Sequence, residues 1–121
     1  MTFPTERAAK RTVLLAAVER IRHVVAAGAE EGERLRTLPP ETVRALTESG
    51  LLALKVPEAL GGAEADPVTQ LEVLEALTRI DASAGWCLMA ATTAAGLPAG
   101  FLPDEAIGQI LLGVPDVDPL G

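Results

Sequence analysis

The stretch Asp81-Ala-Ser-Ala-Gly-Trp-Cys-Leu-Met-Ala-Ala-Thr-Thr-Ala-Ala-Gly96 decides how this chain is read. It holds the sole Trp, the sole Cys and one of two Met residues, and it carries no charge after Asp81. Asp81 or Ser83 can accept a hydrogen bond from the free amides at a helix start, and Gly96 followed by Pro98 can end the helix. Between these limits small residues run around the whole helix, so no face is built for water. A helix that is apolar all round is a buried one. The reading expects a central helix, enclosed by other helices or by a bound partner, with Trp86 inside and Cys87 a small buried hydrophobe.

A charge-free run from Ala82 to Pro103 raises the question of a membrane span. About 13 helical residues at 1.5 Å each give roughly 20 Å, short of a hydrocarbon core of about 30 Å. At the start of the chain, Glu6, Arg7, Lys10 and Arg11 precede a short apolar run that ends at Glu19, which is no signal-peptide pattern. The expectation is a cytoplasmic protein without membrane contact.

A chain of 121 residues is one domain, able to bury roughly two-thirds of its unfolded surface. Residues are 49% hydrophobic but only 2% aromatic, so the core must be Leu, Val, Ile and Ala, which suits packed helices. The net charge of −7 argues against nucleic acid, which needs clustered Lys and Arg to displace counterions. Every Lys and Arg lies at or before Arg79, and the acidic remainder reads as a solvated surface or as a face that meets a basic partner. One Cys and one His supply neither an internal disulfide nor a metal set. Gly61-Gly62 lacks the Lys and Ser/Thr of a phosphate loop. Glu72 and Glu75 can share a helix face, where paired carboxylates ordinarily meet water.

Along the chain, Leu14, Val18, Ile21 and Val25 form one stripe of a helix from about Thr5 to the mid-thirties. His23 borders its polar side. Leu38-Pro39-Pro40 breaks the helix, and Pro40 with Glu41 opens a second one, with Val43 and Leu46 inward and Gly50 as its left-handed end. Leu51 to Val56 is a short apolar connector and Pro57 to Gly62 a turn. Asp66-Pro67 starts a third helix that turns Leu71, Leu74 and Leu77 to one side, up to Ile80. After the central helix, Leu97 to Leu102 reads as a loop. Pro103-Asp104-Glu105 opens a fifth helix to about Leu112, closed by Gly113 and Pro115. The expectation is an all-α domain of five helices over residues 1–113, followed by a linker at 114–121.

Glu41-Thr-Val-Arg-Ala-Leu-Thr-Glu-Ser-Gly50-Leu51, Val56-Pro57, Gly61-Gly62, Leu74-Glu75-Ala-Leu77 and Asp81-Ala-Ser83-Ala-Gly-Trp86 occur in that order. Together they resemble the N-terminal helical domain of the acyl-CoA dehydrogenase superfamily. The Ser-Ala-Gly-Trp ending is most similar to its flavin-dependent monooxygenase branch. The resemblance runs from about Arg7 to Gly113 and implies a fold of three parts: this helical domain, a β-barrel and a C-terminal helical bundle. The flavin lies mainly between the latter two, and the bundle supplies the catalytic base, so no catalytic or flavin-binding residue is assigned here. The chain ends about where the barrel would begin, which reads as a truncated form, inactive alone and missing its barrel and bundle. The resemblance further implies FAD or reduced flavin (FMN/FAD) in the full-length protein, a homo-oligomer and a flavin reductase as partner. Its helical domain walls one side of the substrate cavity. On a helical wheel Trp86, Met89, Ala90 and Thr93 share a face with Leu97 beyond it, so Trp86, Ala90 and Thr93 are expected to line an apolar substrate pocket. The bland reading is that they pack the core. The alternative function is a stand-alone helical module that binds a partner or an apolar ligand; a helix-turn-helix over Glu41 to Lys55 fails on charge.

Overall fold

The computed structural model describes residues 2–111, and among them all regular structure is helical. Helix α1, Arg7–Leu35, is 29 residues long. Its first turn is capped by Glu6, whose carboxylate accepts the amides of Ala8 and Ala9 at 2.9 and 2.8 Å. Those two bonds hold the Glu6 carboxyl below its ordinary value. Leu14, Ala17, Val18, Ile21 and Val25 are buried, so the expected stripe is the core face of α1. Arg36, in the left-handed region at φ 59°, ends the helix.

Helix α2, Pro40–Glu48, starts on its proline with Glu41 in the first turn. Leu46 points inward as expected, but Val43 does not: Thr42 takes the buried place and Val43 is exposed. The cause is the approach of α2 to Gly28 of α1, where a methyl would lie 2.5 Å from Thr42 Oγ1. Only a short side chain fits there. Gly50 takes φ 85°, the expected left-handed position. It leads into a 3-10 turn, Leu51–Ala53, whose Leu51, with the following Leu54, is fully buried. A second 3-10 turn, Glu58–Leu60, occupies the expected Pro57–Gly62 turn. The chain then doubles back along the connector, with the amides of Ala63 and Ala65 donating to the carbonyls of Ala53 and Leu54.

Helix α3, Pro67–Ile80, starts as expected on Asp66, which accepts the Thr69 amide at 3.1 Å and the Thr69 hydroxyl at 2.6 Å. Its core face differs from the expected one. Thr69, Val73 and Leu77, spaced by four, are buried, whereas Leu71 faces outward and Leu74 is half-buried. A polar Thr in an inward position hides the true stripe behind the leucines.

Asp81 joins α3 to helix α4, Ala82–Phe101. Its amide donates to Leu77 O at 3.1 Å and its carboxylate accepts the Ser83 amide at 3.1 Å, so one residue ends α3 and starts α4. The helix continues through Gly96 and Pro98 to Phe101, replacing the expected loop at Leu97–Leu102. Pro98 is tolerated close to the helix end, and the Leu102 amide returns to its carbonyl at 2.9 Å. With 20 residues, α4 is roughly 30 Å long, so the argument from shortness fails. Even so, among the described residues no helix is long and apolar enough to cross a membrane.

Nor is α4 enclosed all round. Ala84, Gly85, Leu88, Thr92 and Ala99 form its one buried face, and Ala84 and Leu88 join the core formed with α1, α2, α3 and the Leu51–Leu54 turn. The opposite face of α4 is bare, with Trp86 68% exposed and Cys87 also exposed. Both were expected inside. Alanine, glycine and threonine can sit against a core or against water, so uniform apolarity did not mean enclosure. Helix α5, Asp104–Leu111, tucks Ile107 inward. The expected end of α5 at Leu112 to Pro115, the domain limit at 113 and the linker at 114–121 lie outside the described residues.

Candidate functional site

The outward face of α4 is the candidate site. Asp81 fixes where the helix starts, and Gly85 fixes how closely it lies on α3: a methyl on Gly85 would fall 2.0 Å from Thr78 Oγ1. With the inner face held, steps of three and four residues send Trp86, Ala90, Thr93, Leu97 and Phe101 to the other side. Leu97 is 58% and Phe101 84% exposed, Ala90 is exposed and Thr93 half-buried. The three residues expected to line a pocket therefore share a face, and Trp86 is not a core residue. What they form in this chain is an open apolar surface.

Beside that face lie two adjoining cavities. One, of about 440 Å³, is bounded by Gly32, Leu38, Trp86 and Cys87. The other, of about 470 Å³, is lined by Val43, Leu46, Leu52, Leu88 and Ala91. Arg36, Thr37, Leu38 and Cys87 border both. Ala90 and Thr93 line neither cavity.

Sequence reasoning overlooked Lys55. Its Nζ donates to Thr93 Oγ1 at 2.9 Å, on the edge of the α4 face. The available signal was a lone cation in the apolar run Leu51 to Val56. The other charged groups singled out in the sequence have structural occupations. Glu72 pairs with Arg11, and Glu75 with Arg79 at 2.6 Å. His23 is exposed on α1. Asp66 also meets Arg7 at 3.0 Å. The Thr69 hydroxyl, then its amide and Arg7, hold the Asp66 carboxyl down to about 2. Among the described residues no three His, Cys, Asp or Glu side chains come together as a metal set.

The Gly61-Gly62 turn offers no phosphate cradle, because its amides are already spent on Glu58 O and Pro57 O at 2.9 and 3.0 Å. A nucleotide-type phosphate therefore has no seat on the amides of this turn.

The described residues thus form five helices, one of which, α4, keeps a bare apolar face. The family model for the acyl-CoA dehydrogenase N-terminal domain matches residues 5–102, and the chain belongs to that family. Membership stands on this match and holds with Trp86 exposed. The chain is similar to the oxygenase subunit HsaA of a flavin-dependent monooxygenase from Mycobacterium tuberculosis (36% identity over 73 residues, 60% of this chain and 18% of that protein). It is likewise similar to the HsaA of Rhodococcus jostii (38% over 58 residues, 48% and 15%). A third relative is the probable acyl-CoA dehydrogenase FadE25 of M. tuberculosis (37% over 82 residues, 68% and 20%). The chain thus covers no more than about a fifth of these relatives' length. No solved structure matches it.

Proposed function

We propose that this domain forms one wall of the substrate cavity of a flavin-dependent oxidoreductase, with Trp86, Ala90 and Thr93 facing the substrate. The observation that carries the reading is the unpartnered apolar face of α4. An apolar patch kept open on a folded domain marks a place where something apolar docks. The family's β-barrel and C-terminal bundle close the cavity from the other side and hold the FAD or reduced flavin. The base and the flavin-phosphate groups come from those parts, and this segment is inactive without them. The Ser83-Ala-Gly-Trp86 ending favours the monooxygenase branch, in which a homo-oligomeric oxygenase in the cytoplasm draws reduced flavin from a reductase.

The test is titration of the chain with the uncharged apolar dye Nile red. The reading expects saturable binding that is lost in Ala90→Glu and Leu97→Glu and retained in Leu71→Glu, a change on the outer side of α3. Binding that is absent, or equally lost in all three variants, contradicts it. The 470 Å³ cavity favours a second reading, a module that holds an apolar ligand within its own helices. In that case Ala91→Glu abolishes binding and Ala90→Glu does not.

A further inference from the structure

Lys55 sits where the connector after α2 crosses α4. Its backbone and Cβ lie so close to Gly96 that a methyl there would come within 2.9 Å of Lys55 Cβ. The side chain then runs back along the helix to Thr93, whose own hydroxyl proton is directed to Met89 O at 2.9 Å. The Thr93 oxygen is therefore the acceptor, and the ammonium spends one of its three N–H bonds on it. Arg7, Arg11, Arg22, Arg44 and Arg79 each have a carboxylate partner. Lys55 is half-buried and, among the described residues, has no ion-pair partner, as is also true of Lys10, Arg20, Arg34 and Arg36; of these cations Lys55 is the one that donates to an α4 side chain. With one N–H given to Thr93, the ammonium keeps two donors without a protein acceptor among the described residues.

We infer that Lys55 anchors an oxyanion: the ligand of the α4 face is a mostly apolar molecule with one negatively charged oxygen group, its apolar body on Trp86 and Ala90 and its anionic end at Lys55. This rests on the reading of α4 as the substrate-facing wall and adds the chemical class of the ligand. The protein as a whole carries a net charge of −7 and repels anions. A preference for an anion at this face must therefore come from a local cation; Arg36 borders the cavity beside Trp86, and Lys55 is the cation hydrogen-bonded to an α4 side chain.

Octanoate and its neutral counterpart octanamide separate the two claims, with the emission of Trp86, the sole Trp, as the readout on the 121-residue chain. Octanoate is expected to bind about tenfold more tightly than octanamide, the order given by a unit charge pair at contact on a partly solvated surface. K55M keeps the stem against Gly96 and should erase that difference without changing octanamide binding; K55R should retain most of it. Parallel titration with 4-nitrophenolate tells a phenolate-type from a carboxylate-type ligand by which of the two loses more affinity in K55M. If octanoate and octanamide bind wild type equally, or K55M leaves the preference intact, the anchor is overturned while the apolar wall stands. If neither ligand binds, both are overturned.

Discussion

Gly85 of α4 faces Thr78 of α3 so closely that a side chain on Gly85 would begin 2.0 Å from Thr78 Oγ1, 2.9 Å from its Cβ and 3.0 Å from its Cα. The last two distances cannot be relieved by rotating the threonine. Replacing Gly85 by alanine gains about 1 kcal/mol of helix propensity but forces the two helices apart, an overpacking that costs typically about 1–3 kcal/mol. We expect Gly85→Ala to lower stability by up to about 2 kcal/mol net, read by urea unfolding. Adding Thr78→Ala should recover part of the loss, since it removes Oγ1 and leaves Cβ in place. A fully additive pair would show that the contact is not the cause.

The exposure of Trp86 separates stability from function. Because 68% of the residue faces water, Trp86→Ala should change unfolding free energy by no more than about 0.5 kcal/mol. Leu77→Ala, at a fully buried position, should cost about 2–5 kcal/mol. Parallel denaturant titrations of the two variants check the contrast, and a severe loss in Trp86→Ala would return that residue to the core.

Asp66 makes stability dependent on acid. Its carboxyl is held down to about 2 from an ordinary value of 3.8, first by the Thr69 hydroxyl and then by the Thr69 amide and Arg7. A depressed carboxyl stabilises the fold fully above its unfolded value, and that contribution is lost as pH falls from about 4 to about 2. Asp66→Ala should be less stable than wild type at neutral pH, and the gap should close across that window. Thermal melts at steps of pH check the sign, and a gap that widens toward acid would contradict it.

Much of the architecture was legible where residues have a single use. The α1 stripe, the proline starts of α2 and α3, the Asp66 and Asp81 caps and the positive φ at Gly50 each follow from local chemistry. The misreadings concern residues with two uses. Thr42 and Thr69 are buried although polar, which shifted the apparent inner faces of α2 and α3 onto Val43 and Leu71. Pro98 stops a helix when it lies deep inside one, but near the end of α4 its missing amide matters little. The Ala, Gly and Thr positions of α4 have no side, so it is packing, with Leu88 buried, Gly85 against Thr78 and Gly96 against Lys55, that determines that Trp86 faces out. Lys55 could have been found as the lone charge in an apolar run, although its partner, Thr93, is 38 residues away.

If α4 walls a cavity, as we propose, its bare face is covered when the domain sits among the other parts of a family member. The most direct test is hydroxyl-radical footprinting, resolved by peptide, of Trp86 and Phe101 in this chain and in a chimera. In the chimera, residues 5–102 replace the matching segment of the M. tuberculosis HsaA oxygenase subunit. Fast oxidation of both residues is expected in the chain alone, with severalfold protection in the folded chimera. Equal oxidation in the two would mean that α4 faces water in both, and that the helix lines no cavity.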